Sequence, residues 1–185
     1  MLGKPFEKFN IWFEEDSAMT LATVDQTGMP DARVVLLKEV TPEGFVFFTN
    51  YQSLKANQLA ANPKAAAVFW WPILERQVRI RGIVSKISPE QSDKYSQTRP
   101  RGSQIGAWAS KQSQVLQSRA ELEQAYLDFE KKYAGQIIPR PDFWGGYCLE
   151  PVYFEFWQGR ENRLHERLAY ELDSQGTWVS KQLAP

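Results

Sequence analysis

Residues 18–49 read AMTLATVDQTGMPDARVVLLKEVTPEGFVFFT, and their pattern decides the fold. Three runs, 18–24, 32–38 and 44–49, are dominated by β-branched, aromatic and aliphatic residues and are too short for helices. Turn residues separate them, at 25–28 and 41–44. The pattern predicts three strands in an antiparallel meander.

The flanking sequence extends this reading. Phe6, Ile11 and Trp12 fit a short opening helix. Residues 53–61 read as a helix that Asn62-Pro63 ends. Residues 64–71 and 76–87 predict two more strands joined near Pro72. Residues 89–98 and 103–110 predict short helices around the loop RPRGS. Residues 118–133 form the clearest helix. Ser118 and Glu121 have capping-box spacing, and Leu122, Tyr126, Phe129 and Tyr133 keep the helical period. Gly135 suits the C-terminal cap. Residues 147–158, 165–172 and 177–182 then close the chain as strands. About eight short strands with inserted helices predict a mainly β, closed or split barrel rather than a doubly wound sheet. The whole chain, 1–185, reads as one domain. It has no GxGxxG and no GxxxxGK[ST] loop, so no dinucleotide or P-loop site is indicated.

Composition narrows the function. The 22 basic residues balance 22 acidic ones, which argues against a general nucleic-acid binder. Cys148 is the single cysteine and His165 the single histidine, so neither an intrachain disulfide nor a metal site is expected. The first residues carry charges throughout, and the longest apolar run, 65–74, is too short to span a bilayer and contains Pro72. A cytoplasmic protein with no membrane partner is expected. Aromatic residues make up 14% of the chain, including 7 Trp. They fit a β-rich core as well as a large interface or a stacked planar ligand.

Four motifs carry charge in suggestive places. In RLHER, 163–167, strand periodicity puts Arg163, His165 and Arg167 on one face. That makes either a cationic ridge or a solvated strand face. In RVVLLK, 33–38, the apolar middle reads as a buried strand, with Arg33 and Lys38 at its ends pointing to opposite faces. In QVRIRG, 77–82, Gln77, Arg79 and Arg81 share one face and Val78 and Ile80 the other. Tyr95, Arg99 and Ser103 recur at intervals of four. They suit a phosphate, although ordinary helix-end polarity is the readier explanation of the spacing alone. No Ser-His-Asp order or paired-carboxylate motif stands out, so redox chemistry here needs a borrowed cofactor.

Taken in order, RVVLLK, FFTN, ILERQVRIRG, TRPRGSQIGAWASKQS, FWGGY, EFWQG, RLHER and the terminal LAP resemble the pyridoxine (pyridoxamine) 5′-phosphate oxidase family. The likeness runs from about Ala18 to Pro185. It implies a homodimeric split β-barrel with one FMN in each of two interface clefts. It implies oxidation of pyridoxine or pyridoxamine 5′-phosphate to pyridoxal 5′-phosphate, with hydride passing from substrate C4′ to flavin N5, O2 as acceptor and H2O2 as product. By match, Arg33, Val34, Val35, Leu36, Leu37 and Lys38 form the first FMN-binding segment, and Phe48 and Thr49 the second. Lys55, Gln77, Gln112, Ser113, Trp157 and Arg167 match further FMN contacts, partly from the other subunit. Lys38, Tyr95, Arg99 and Ser103 match the cradle for the substrate phosphate. Arg163, Leu164 and His165 match the substrate-ring segment, with Arg163 and His165 as its catalytic pair.

Some positions depart from the family pattern. Leu54 stands where many members have Arg, which removes one FMN-phosphate contact. Phe48 replaces a common Tyr and loses its hydroxyl. Gln182 stands where Arg often precedes the final LAP. The chain also begins after the point where longer members carry a basic, Tyr-containing segment that covers the active site. Related oxidases of phenazine biosynthesis share RLHER but tend to lose the first-strand lysine and the RPR-S cradle, whereas this chain keeps Lys38, Arg99 and Ser103. A non-catalytic carrier of FMN or pyridoxal phosphate is the rival of another class.

Overall fold

The computed structural model describes residues 3–13 and 18–185. Among these residues nine strands form one sheet: β1 (Ala18–Val24), β2 (Pro30–Leu36), β3 (Glu39–Val40), β4 (Phe45–Asn50), β5 (Lys64–Trp71), β6 (Arg76–Lys86), β7 (Trp144–Gln158), β8 (Glu166–Leu172) and β9 (Trp178–Leu183). Five α-helices among them accompany the sheet: α1 (Lys4–Trp12), α2 (Leu54–Ala61), α3 (Pro89–Thr98), α4 (Arg101–Ala109) and α5 (Arg119–Lys132). The expected mainly β architecture with inserted helices is what forms. β3 is the ninth strand, two residues long and invisible to periodicity.

The strand order β2-β1-β5-β6-β7-β4-β3 explains the curl of the sheet. β2 and β3 sit at opposite ends of that order, yet only Leu37 and Lys38 separate them in the chain. Three peptide units span at most about 11 Å, so the two ends must come together. β7 takes both branches along one edge. Its first half, Trp144 to Leu149, pairs with β4, and its second half, Tyr153 to Gln158, pairs with β8. A register shift between Arg81 and Gly82 leaves Val152 unpaired and lets β7 bend between Pro151 and Tyr153. Gly82 is required there, because a Cβ would stand 2.0 Å from the Glu150 carbonyl oxygen.

The meander holds only in its first half. β1 and β2 pair from Ala18↔Leu36 to Val24↔Pro30, but β4 pairs with β3 and β7 instead of β2. Leu37 is the cause. It is buried in the main core, and the chain turns there instead of running on to Lys38.

The core is largely aromatic. Phe9 of α1 plugs the barrel, 4.8 Å edge-on to Phe45 and 5.1 Å from Phe69. β6 alternates as expected, with Val78 and Ile80 fully buried and Arg79 and Arg81 exposed. β2 does not become the buried strand its apolar middle implied: Val34 is 65% and Leu36 49% exposed. Among the described residues it is an edge strand that pairs with β1 alone, so one flank is left uncovered.

A smaller cluster, Ile105, Tyr133 and Ile138 with Trp108, Tyr126 and Phe129, joins α4 to α5. At the start of α5 the capping box is half formed. Ser118 Oγ accepts from the Glu121 N–H, but the Glu121 carboxylate accepts from Gln117. The complete box lies at Ser88 and Gln91, where α3 begins. Among the described residues, no helix is long and apolar enough to cross a membrane.

Candidate functional site

A cleft of about 640 Å³ opens where β2 faces β4, with α2, α3 and α4 around it. Arg33, Val34, Val35, Leu36 and Lys38 line it, with Phe48, Thr49 and Lys55. So do Tyr95, Arg99, Ser103 and Gln112. Arg33 and Lys38 therefore share one cleft, contrary to their opposite faces in a regular strand, because the strand stops at Leu36. Leu37 is the member of the segment whose side chain goes into the core instead. Thr98, Pro100 and Trp144 also line the cleft, without having been singled out by the sequence.

Two groups of cations meet this space. In the first, Arg33 Nη1 donates to Thr23 Oγ1 (2.6 Å) and the Leu21 carbonyl (3.2 Å), and Nη2 to Asp31 and Gln58. Lys55 lies beside it, 8% exposed. Its ammonium donates to Thr49 Oγ1, Ser53 Oγ and Gln112 Oε1 at 3.2–3.4 Å, all neutral acceptors. Burial first, and then the Arg33 charge, pull the Lys55 pKa below the ordinary lysine range. Leu54 opens α2 with its side chain half exposed.

The second group is Tyr95, Arg99, Ser103 and Lys38. Tyr95 lies on α3, Arg99 caps its C-terminus, and Ser103 sits inside the first turn of α4 rather than in a loop. Arg99 Nη1 is buried without a hydrogen-bond partner. Burial lowers the Arg99 pKa and raises that of Tyr95. A half-buried guanidinium with one buried, unmet donor is suited to an anion.

The remaining expected residues lie elsewhere on the chain. Gln77, Trp157 and Arg167 are register partners across β6, β7 and β8, on the outer face of the sheet with Arg79 and Glu155. RLHER is not one strand face. Asn162 and Arg163 have φ of 55° and 62°, within a 3-10 turn at Glu161–Arg163, and β8 starts only at Glu166. The turn is fastened to the β5–β6 hairpin: the Gly159 N–H donates to the Glu75 carbonyl (2.8 Å) and Gln158 Nε2 to that of Leu74 (3.0 Å). Asn is among the residues that best tolerate the left-handed region. Arg163 and Leu164 are exposed. The His165 ring centroid is 4.6 Å from that of Trp157, and His165 Nδ1 accepts from the Arg160 N–H. The neutral ring thus keeps its proton on Nε2, turned away from that contact. Ser113, in a left-handed turn (φ 70°), is exposed and outside the cleft lining.

Glu155 organises this flank, and sequence reading missed it. It is 2% exposed. Oε1 accepts from Arg167 Nε (2.9 Å), and Oε2 from Arg79 Nη1 (3.1 Å) and Tyr153 Oη (2.8 Å). Burial alone would raise its pKa, but these hydrogen bonds and the two guanidinium charges outweigh burial and hold it below the ordinary carboxylate value of 4.5. A group depressed in the folded state contributes stability above its unfolded pKa and loses it as pH falls through the folded pKa. Glu155→Gln is therefore expected to cost about 1–3 kcal/mol at pH 7. The difference from wild type should shrink as pH falls below 4.5. Urea unfolding of both proteins at pH 7 and near pH 4, at one protein concentration, checks this. A cost that is the same at both pH values would show that the carboxylate charge is not what holds the flank.

A curled split barrel with a cationic, aromatic-walled cleft beside an uncovered edge strand defines the structural class. Comparison with known proteins makes it specific. Residues 6–133 match the family described as pyridoxamine 5′-phosphate oxidase. Residues 144–185 match the pyridoxine 5′-phosphate oxidase C-terminal dimerisation region. The chain is 51% identical over 189 residues to the pyridoxine/pyridoxamine 5′-phosphate oxidase of Bordetella avium, covering 98% of this chain and 89% of that protein. It is 58% identical over 174 residues to the protein of the same description from Thermosynechococcus vestitus, covering 90% and 82%. Among solved structures, PhzG from Burkholderia lata 383, in complex with tetrahydrophenazine-1-carboxylic acid, superimposes with a TM-score of 0.89 at 29% identity, over 98% of this chain and 89% of that one. The chain belongs to the pyridoxine/pyridoxamine 5′-phosphate oxidase family of oxidoreductases.

Proposed function

We propose that this protein is an FMN-dependent oxidase that converts pyridoxine or pyridoxamine 5′-phosphate to pyridoxal 5′-phosphate. It works as a homodimer of single-domain chains, 1–185, with each active cleft completed by the outer flank of the other subunit. The observation that carries this reading is the presence of two separate cationic groups in one cleft, Arg33 with Lys55 and Arg99 with Tyr95 and Ser103. The proposed ligands bring one phosphate each. A cleft of about 640 Å³ is in the usual range for a site that encloses ring-sized ligands.

The donor set fits FMN. A nearly buried ammonium with only neutral acceptors, beside a guanidinium, suits a terminal phosphate better than any uncharged group. Thr49 and Gln112 supply further polar atoms to it. When bound, FMN supplies the hydride acceptor for substrate C4′, and O2 takes the electrons on as H2O2. The chain itself positions the reactants. Arg99, Tyr95, Ser103 and Lys38 hold the substrate phosphate, and Arg163 lies against the pyridine ring. His165 offers its Nε2–H to the ring's phenolic oxygen. No side chain has to remove a proton from carbon, in keeping with catalysis by orientation and electrostatics.

Two observations support the dimer. The cleft and the Gln77–Trp157–Arg167 row share no lining residue, because β1 and β5 separate β2 from β6 in the sheet. The outer face of the sheet also bears exposed Val34, Leu36, Trp70 and Val152, an apolar surface that a second copy would cover.

Aerobic incubation with FMN and pyridoxine 5′-phosphate, following aldehyde and peroxide together, tests the function. Aldehyde and peroxide formed in step are expected. FMN binding without steady peroxide would leave a carrier. Oxidation of tetrahydrophenazine-1-carboxylic acid, the molecule bound in PhzG, in preference to the phosphorylated vitamin would favour a phenazine-type oxidase instead.

A further inference from the structure

We infer that Trp144 is a positioning residue that holds Arg99, through a stack of aromatic planes, in the orientation that receives the substrate phosphate. The inference rests on the function proposed above and adds a residue to its site.

Three rings from three separate stretches lie nearly parallel, and the Arg99 guanidinium stands over one of them. The Phe48 and Tyr95 rings are 3.8 Å apart at 20°. Trp144 lies 5.5 Å from Phe48 at 16° and 6.3 Å from Tyr95 at 9°. The Arg99 guanidinium carbon stands 4.3 Å from the Trp144 ring centroid. Trp144 itself is well fixed. It is 7% exposed, begins β7 opposite Asn50, and its carbonyl accepts from Arg140 Nη1 at 2.6 Å. The backbone of Arg99 is equally constrained, between the last turn of α3 and Pro100, which caps α4.

The choice of an aromatic partner has a consequence for chemistry. A carboxylate beside Arg99 would fix the guanidinium but occupy its N–H donors and cancel its charge. A ring face attracts the same cation through its quadrupole and leaves the donors in the guanidinium plane free. The unmet Nη1 of Arg99 is what such an arrangement leaves behind. Among the described residues Arg99 has no carboxylate hydrogen-bond or ion-pair partner, in contrast to Arg33, Arg79, Arg140, Arg160 and Arg167. Tyr95 belongs to the same stack through Phe48, so the stack bears on two of the four residues proposed to hold the phosphate.

The test uses the FMN-loaded protein and the variants Trp144→Leu, Trp144→Phe and Trp144→Leu/Arg99→Ala. Loss of the ring is expected to raise KM for pyridoxine 5′-phosphate about 3- to 30-fold, with a much smaller fall in kcat. Phe should restore most of the loss, and the double variant should be no worse than Arg99→Ala alone. A second readout does not depend on turnover. NMR of the Arg99 side chain should show a ring-current shift that Leu abolishes and Phe keeps, and titration with inorganic phosphate should move that signal at higher concentration in Trp144→Leu than in wild type. An unchanged KM, additive effects in the double variant, or a parallel loss of FMN affinity, kcat and KM that Phe does not rescue would overturn the inference. Should wild type not oxidise the vitamin, the functional reading fails, and the phosphate titration alone decides the role of Trp144.

Discussion

Mixing Arg99→Ala subunits with Arg163→Ala subunits is expected to restore about one quarter of wild-type turnover from two nearly inactive parents. Each parent homodimer carries its defect in both sites. Arg99→Ala removes a charge-assisted phosphate ligand, which costs about 1.5–3 kcal/mol per bond, or roughly 10- to 150-fold in kcat/KM. Arg163→Ala removes the guanidinium plane proposed to stack on the substrate ring. If each site joins the cleft of one subunit to the flank of the other, a mixed dimer has one site with both defects and one with neither. Random pairing makes about half the dimers mixed, so about a quarter of all sites are intact. The measurement is turnover after joint unfolding and refolding, with mixed dimers counted by mass. Mixed dimers with no more activity than their parents would place both residues in a site within one chain. Arg163 is suited to this test because it is exposed, in a turn before β8, so its loss leaves the core intact.

The parts of the fold legible in the sequence are those that local pattern determines. β6 shows its alternation in QVRIRG, and α3 has a proline at its start and Pro100 beyond its end. Pairing partners are not local. The FVFF run identifies β4 as a strand, but its place beside β7 depends on Leu37 leaving β2 for the core and on Gly145 and Gly146 lying opposite Thr49 and Phe48. RLHER fails for a related reason. Its two-residue period is compatible with a strand, yet the turn before β8 is set by contacts with Leu74 and Glu75 some 84 positions away. The cleft was legible chiefly through the family resemblance, since the spacing of Tyr95, Arg99 and Ser103 alone is more readily explained by ordinary helix-end polarity. Trp144 and Glu155 stood inside FWGGY and EFWQG without a role. A tryptophan that backs an arginine, or a buried glutamate shared by arginines from two neighbouring strands, becomes recognisable only when those strands and helices are assembled.

Lys55→Met is expected to weaken FMN binding by about 10- to 150-fold, the worth of one charge-assisted bond to phosphate, while leaving the apo-protein at least as stable as wild type. Lys55 is poorly placed for stability alone. It is nearly buried, its acceptors are neutral, and the Arg33 guanidinium is beside it, so the folded chain holds the ammonium at a cost. Methionine has a similar length and shape and removes that cost. The pH dependence fixes the sign. The folded-state pKa is below the ordinary lysine value of 10.5, so between the two the unfolded chain binds the proton and the folded chain does not. Apo wild type should therefore gain stability from this residue as pH rises through that window, and Lys55→Met should lack the gain. FMN affinity should move the opposite way in wild type, falling as the ammonium loses its proton, and should be flatter in the variant. Urea midpoints of the apo-proteins, together with FMN titrations followed by flavin fluorescence across the same pH range, separate the two effects. A destabilised apo-protein with unaltered FMN affinity would make Lys55 a structural residue and move the flavin phosphate away from the Arg33 end of the cleft.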